Sequence, residues 1–258
     1  KITASELTSF DTETTGLDPM RAELVGISLC VQPGEACYIP LKHMTNEDQL
    51  DRSETLALLK SWLEDKNCLK VGQNLKFDWH ILANHGINLQ GIVHDTLLQS
   101  YVIESHRSHD MDSLAQRHLG IKTITFEEVC GKGASQICFD QVDIATATQY
   151  AAEDADITLR LHRYMWPLIE KDEQLRYVYQ VIEIPTLMVL AKMERKGILI
   201  DSKKLAQQSQ VIGLRMLELE KEIYELAGQR FNIQSPKQIG EILFQVKQLP
   251  IVKKTPGG

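Results

Sequence analysis

Two carboxylates separated by one residue stand first in this chain's chemistry: Asp11 and Glu13, in the run Phe10-Asp11-Thr12-Glu13-Thr14. The flanking residues read as a β-strand, and a strand's period of two sets both carboxylates on one face. Like charges held that close repel, which calls for a cation or a shared proton. A D-x-E triplet arises readily by chance among 35 acidic residues in 258, so it acquires meaning only with partners. Asp78 is the first. It ends the run Asn74-Leu75-Lys76-Phe77-Asp78, where a strand feeds a helix and an aspartate alone would read as a cap. Tyr150 and Asp154 are the second signal, four residues apart, so a helix sets the phenol beside the carboxylate. Alone, that pair is a core tyrosine next to a solvated acid. Together the three runs can converge at one sheet edge. Four carboxylates in one cleft suit two hard divalent cations bound through oxygen, the arrangement that clamps an in-line phosphoryl displacement.

The elements that must bring these residues together follow from periodicity and punctuation. Leu7–Glu13, Leu24–Val31 and Ala36–Leu41 read as three sequential antiparallel strands, the last two joined by Gln32-Pro33-Gly34-Glu35. Thr55–Leu63 is helical. Leu69–Gln73 is a strand feeding a helix that Gly86 ends, and Ile92–His94 is a further short strand. Helices follow at Leu97–Ile103 and Met111–Leu119, the second capped by Asp110 and Gly120. Thr125–Phe139 reads as irregular, with a loop at Gly131-Lys132-Gly133, before a helix from Ile144 to about Ile169. Ala147, Ala151 and Ala155 let that helix approach the sheet closely. After Glu170 the chain becomes almost wholly helical, with a kink expected at Pro185 and a stop at Gly197. Leu205, Ile212, Met216, Leu219, Ile223 and Leu226 form a narrow seam for packing on another helix, and no second helix of matching length remains. This places a boundary near Glu170 and suggests that the second module is incomplete.

Composition bounds the function classes. With 43% hydrophobic and 24% charged residues the chain reads as a soluble globular protein, and it lacks the run of roughly 18 to 20 apolar residues that a membrane span needs. It starts at Lys1 without a leader pattern and stops at the run KKTPGG, so it reads as an excised fragment of a cytoplasmic protein. Five cysteines without a C-x-x-C pair or zinc spacing read as reduced thiols. The net charge of −7 argues against a nucleic-acid coat protein, and is compatible with a nuclease whose acidic site holds metal.

FDTE, NLKFD and YAAED resemble the three exonuclease motifs of the DEDD-type 3′-5′ proofreading exonucleases, tyrosine subclass, on a ribonuclease H-like fold. The segments VGQNLKFD, HDMDSLA, KTITFEEVCGKG, YAAEDAD and KKTPGG are similar to those of bacterial family A DNA polymerases, and the likeness covers essentially the whole chain. The fold it implies is a mixed α/β sheet flanked by helices, followed by an incomplete helical thumb segment. Residues 1–170 would be the exonuclease domain and 171–258 the opening of the polymerase domain. The polymerase palm and fingers would be missing partners from the parent chain.

The resemblance implies two divalent ions, magnesium or manganese, with zinc a further option at one site. Asp11 would bridge both, Glu13 and Asp154 would complete the site of the water-activating ion, and Asp78 would hold the second through water. Tyr150 and Glu13 would orient the attacking water. Gln73 and Asn74 would contact or position DNA, Leu17 and Phe126 would pack against the terminal bases of a single-stranded or frayed 3′ end, and Thr14 is a weaker contact. Two rival readings are a primer-end binding module without catalysis and an RNA-trimming relative. Intact carboxylates argue against the first, and the polymerase-like sequence after Glu170 argues against the second.

Other residues attract blander readings. His106 and His109 read as a polar surface loop, and His94-Asp95 as a structural pair. Lys132 is a secondary candidate for a phosphate contact. Lys192, Arg195, Lys196, Lys203 and Lys204 fit either a duplex-binding surface or a solvated face.

Overall fold

The computed structural model describes residues 1–45 and 48–251, so the KKTPGG run at 253–258 lies outside the described residues. Three strands open the chain: β1 (Thr8–Thr14), β2 (Leu24–Gln32) and β3 (Glu35–Pro40). Pro33 and Gly34 alone join β2 to β3, with Gly34 at φ +86°, a conformation that costs a residue without a Cβ little. Helix α1 (Arg52–Leu63) leads to β4 (Lys70–Gly72), α2 (Leu75–Asn84), β5 (Ile92–Asp95) and α3 (Thr96–Glu104). The strand order is β3-β2-β1-β4-β5. β1, β2 and β3 pair antiparallel, while β1, β4 and β5 pair parallel. This is the mixed, ribonuclease H-like sheet expected from the sequence, with β1 at its centre.

Both faces of the sheet are covered, which is why β2 reads as a continuous apolar run rather than an alternating one. On one face Phe10, Leu24, Ile27 and Leu29 pack with Leu56, Trp62 and Leu63 of α1 and with Leu75, Trp79 and Leu82 of α2. The other face is crossed by α6 (Ile144–Glu170). Its Ala147, Ala151 and Ala155 are fully buried against Val25, Cys30 and Val71, because a methyl lets the helix backbone approach where a longer side chain would hold it off.

Between α3 and α6 lie α4 (Met111–Leu114), which continues as a wide π turn to Leu119, and α5 (Phe126–Cys130). Asp110 and Gly120 are the caps: Asp110 accepts from the Ser113 amide at 2.8 Å, and Gly120 adopts φ +68°. The segment from Thr125 is more regular than the sequence suggested. Thr125 and Glu128 form a reciprocal capping box that starts α5, a T-x-x-E signal readable in the sequence.

After α6 come α7 (Glu173–Tyr177), a π segment (Val178–Glu183) and α8 (Ile184–Lys196). The widened turn directly ahead of Pro185 accommodates its missing amide donor. These helices pack on the sheet layer: Tyr179 is fully buried with its phenol oxygen accepting from the Asp95 amide at 2.9 Å, and Glu194 pairs with Lys76 and His80 of α2 at 2.6 and 3.1 Å. The chain accordingly divides into compact units at Lys1–Gly197 and Ile198–Gly258. The geometric division thus falls later than the compositional change near Glu170, because α7 and α8 belong to the helical stretch by composition yet lie against the sheet.

In the second unit, α9 (Ser202–Ala227) is followed by α10 (Pro236–Gly240) and a short π turn. The apolar seam on α9 keeps Leu205, Ile212, Met216 and Leu226 more than half exposed. No helix of the described residues is long and apolar enough to cross a membrane.

Candidate active site

β1 runs centrally and its carboxyl end opens into a cleft of about 510 Å³. The ten residues singled out in the sequence all line it: Asp11, Glu13, Thr14 and Leu17 from β1 and the turn beyond, Gln73, Asn74 and Asp78 from the β4–α2 junction, Phe126 from α5, and Tyr150 and Asp154 from α6. Alternation along β1 turns Asp11 and Glu13 towards α6, where oxygens of Asp11, Glu13 and Asp154 lie within 4.8 Å of one another. Asp78 arrives from the opposite layer on α2. Its Oδ1 accepts two bonds from Thr12, from the amide at 2.9 Å and from the hydroxyl at 2.6 Å. Asp78 is therefore no helix cap: the N-cap position belongs to Asn74, held in the left-handed region at φ 64°.

The sequence between the motifs explains how that junction is held. The Asp95 carboxylate accepts from the amides of Asn74 at 3.3 Å and Leu75 at 2.8 Å, and caps α3 through the Leu98 amide at 3.2 Å. The Gln73 side chain donates to the His109 carbonyl at 2.9 Å and accepts from the Thr96 hydroxyl. His109 is not the surface-loop residue expected. It is buried, bonded to Ser100 Oγ at 2.5 Å and packed at a tilt on the Tyr101 ring with 3.6 Å between centroids, because the loop folds back over α3. His106 is exposed as expected. Lys132 pairs with Glu127 at 2.8 Å in full solvent, so its charge is already compensated.

Electrostatics set the cleft apart. Burial pushes the Asp11 carboxyl up to about 7. Burial, followed by the charges of Asp11, Asp154 and Asp78, drives Glu13 well above the usual carboxylate range. Asp78 is raised by burial and by Asp11, against the opposing Thr12 bonds. Asp154 is raised by burial and Asp11, against the hydrogen bond from the Tyr150 phenol. The phenol is itself pushed far up by burial and by Asp154, so it stays a donor. Glu13 is 8% exposed, and its Oε1 has no hydrogen-bond partner among the described residues. An orphaned carboxylate oxygen facing two other carboxylates fits a bound hard cation, which would both satisfy that atom and lower every one of these pKa values.

The cleft walls are apolar. Leu17 is 94% exposed at the rim. Phe126 meets Tyr150 edge-on at 6.5 Å, and Phe139 supports Tyr150 from behind at 5.7 Å. Sequence reasoning missed Thr12, Phe77 and Ile137, which also line the cleft. Thr12 could have been found from alternation alone, since the residue between the carboxylates must face the other layer. Phe77 and Ile137 carry no comparable signal.

A family model described as 3′-5′ exonuclease matches residues 1–170, and one described as DNA polymerase family A matches residues 202–258. DNA polymerase I of Pseudomonas aeruginosa is 49% identical, with all of this chain and 29% of that protein aligned. DNA polymerase I of Rhizobium leguminosarum is 42% identical over 99% of this chain and 27% of that protein. The chain thus spans less than a third of the length of these relatives. A solved structure, the POL domain of Pol1 from M. smegmatis in complex with DNA primer-template and dNTP, matches with a TM-score of 0.79 at 24% identity, covering 100% of this chain and 40% of that one.

Proposed function

This chain belongs to the 3′-5′ exonuclease family of the family A DNA polymerases, and from that membership we propose that it is a metal-dependent proofreading exonuclease. It hydrolyses DNA from a single-stranded or frayed 3′ end to nucleoside monophosphates, as part of a DNA polymerase I acting in replication and repair. Residues 1–170 are the exonuclease module, and 171–258 begin the polymerase domain at the base of its thumb. The observation that carries the reading is the convergence of Asp11, Glu13 and Asp154 within 4.8 Å, with one buried Glu13 oxygen left without a hydrogen-bond partner among the described residues.

Asp11, Glu13 and Asp154 would hold one divalent ion, with Asp11 shared and Asp78 completing the site of a second. An all-oxygen donor set suits magnesium or manganese. When bound, two such ions supply an activated water and a stabilised leaving oxygen. The chain's own groups do the rest. The Tyr150 phenol, protonated at neutral pH and donating to Asp154 in the metal-free cleft, would turn that one donor to the attacking water once a cation takes up Asp154, and Glu13 would accept a hydrogen bond from the same water. Leu17 and Phe126 offer apolar faces to the last bases, which only an unpaired strand presents. Asn74 would contact or position the DNA strand, and Thr14, which also lines the cleft, would make a weaker contact with the last nucleotide.

Incubating the chain with 5′-labelled single-stranded DNA and magnesium should give a ladder shortening from the 3′ end, and chelator should stop it. Binding without cleavage at saturating magnesium and manganese would reject catalysis in favour of an end-binding module. Faster trimming of RNA than of DNA would reject the assigned substrate.

A further inference from the structure

Thr12 stands between Asp11 and Glu13, and alternation in β1 sends its side chain to the opposite face, the side on which Phe10 meets α1 and α2. It is 6% exposed. From that side it aims two donors at one atom: its amide reaches Asp78 Oδ1 at 2.9 Å and its hydroxyl at 2.6 Å. The carboxylate cannot turn about its Cβ–Cγ bond without breaking both bonds, and Oδ2 is left as the oxygen available to a ligand. The arrangement also answers a topological problem. Asp11, Glu13 and Asp154 come from the β1–α6 side, whereas Asp78 comes from the α2 side, so something must tie it to the strand that carries Asp11 and Glu13.

We infer that Thr12 is a positioning residue, which locks the Asp78 carboxylate in the orientation that presents Oδ2 to the second cation. The middle position of the D-x-E triplet is thereby part of the site although it never touches metal or substrate. The inference rests on the two-cation reading, and the test separates the two.

Calorimetric titration of manganese into the parent chain should resolve two ions. In Thr12→Val, which keeps shape and removes the hydroxyl, the weaker ion should bind about 10- to 100-fold less tightly, the usual effect of losing a partner that orients a metal ligand. The stronger ion should be unaffected, and Thr12→Ser should restore the parent isotherm. Thr12→Ala, which introduces no bulk, serves the same comparison if the valine variant fails to fold. Two ions in the parent with both affinities unchanged in the valine and alanine variants, or with both weakened alike, would overturn the positioning role and leave the exonuclease reading standing. Failure of serine to restore affinity would overturn it too. A parent chain that takes up no second ion sinks the two-cation reading itself.

Discussion

At the scale of single residues, the cleft separates groups that hold charge from groups that hold geometry. Asp154 and Tyr150 lie one helical turn apart on α6, and the phenol donates to the carboxylate. Removing the two should have different consequences. Asp154→Ala deletes a ligand and leaves Asp11 and Glu13 without their third oxygen donor, so cleavage and tight manganese binding should both vanish. Tyr150→Phe keeps the ring against Phe139 and Phe126 and removes only the hydroxyl, so metal binding should persist while single-turnover cleavage falls about 100-fold, the usual weight of an orienting hydrogen bond. Turnover by Tyr150→Phe equal to the parent's would remove the phenol from the mechanism. Asp11 with Glu13, and Asp154 with Tyr150, were legible in the sequence because strand and helix periods fix which side chains share a face, whereas Asp78 read alone as a helix cap and joined them only through the order of the motifs and the family resemblance. What supports them was legible only in part. Thr12 follows from alternation, but the burial of His109 does not, since its contacts come from the Ser100 and Tyr101 side chains of α3, which local pattern cannot place.

At the scale of elements, the site depends on where β4 stops and α2 starts, and that junction is held from β5. Asp95 accepts three backbone amides, from Asn74, Leu75 and Leu98, and is fully buried. It therefore serves the starts of two helices at once and supports the left-handed turn at Asn74. Asp95→Ala should leave three buried or part-buried amide donors without acceptors, at about 1 to 3 kcal/mol each when no water replaces the carboxylate, so a loss of about 3 kcal/mol or more is expected in urea unfolding. Asp95→Asn, which keeps one acceptor oxygen, should lose less. A midpoint for Asp95→Ala matching the parent's would mean that the junction is held by packing alone. The strands β1 to β3 were readable because Pro33-Gly34 and apolar runs punctuate them. The π segments at 115–119 and 178–183 were not, because apolar spacing hardly distinguishes a widened turn from an α-helical one. The extension of the first compact unit to Gly197 was hidden for a related reason: Tyr179 and Glu194 are ordinary helix residues until β5 and α2 are placed beside them.

At the scale of the whole molecule, a chain with net charge −7 concentrates four carboxylates in one place, and this should govern how its stability responds to pH. Asp11 is raised to about 7, and Glu13, Asp78 and Asp154 are raised well above the usual carboxylate range by burial first and then by neighbouring charge, that of Asp11 in each case. The unfolded chain has already lost these protons by about pH 5. Without metal the folded state thus binds more protons than the unfolded one, and its stability must fall as pH rises through 7. Other groups act elsewhere. Glu23, Glu64 and Asp65, lowered by hydrogen bonds and ion pairs, are ionised in both states above about pH 5. His94 and His162, buried and lowered to about 4 and about 3, add stability as pH rises mostly below about 6.5, around which the unfolded imidazoles lose their protons. Lys70, lowered to about 8 by burial, acts above that value. From about pH 6.5 to 7.5 the cleft works against the last part of the rise from the lowered histidines, His85 and His118 among them, so the cleft's share is read by comparison with a variant that lacks two of its carboxylates. In chelator, the melting temperature should drop across that interval by several degrees relative to the variant, since each carboxyl still protonated only in the folded state is worth up to about 1.4 kcal/mol per pH unit. Saturating magnesium or manganese should flatten the slope and raise the midpoint at pH 7.5, because a cation restores the ionised form and stabilises the fold by mass action, by about 2.7 kcal/mol at 100 times its dissociation constant. Asp11→Asn with Glu13→Gln should flatten the slope without metal. A metal-free parent whose slope between pH 6.5 and 7.5 matches that of Asp11→Asn with Glu13→Gln would mean that the cleft is solvated and its carboxylates ordinary, and the case for a cation site built on their mutual repulsion would fall with it.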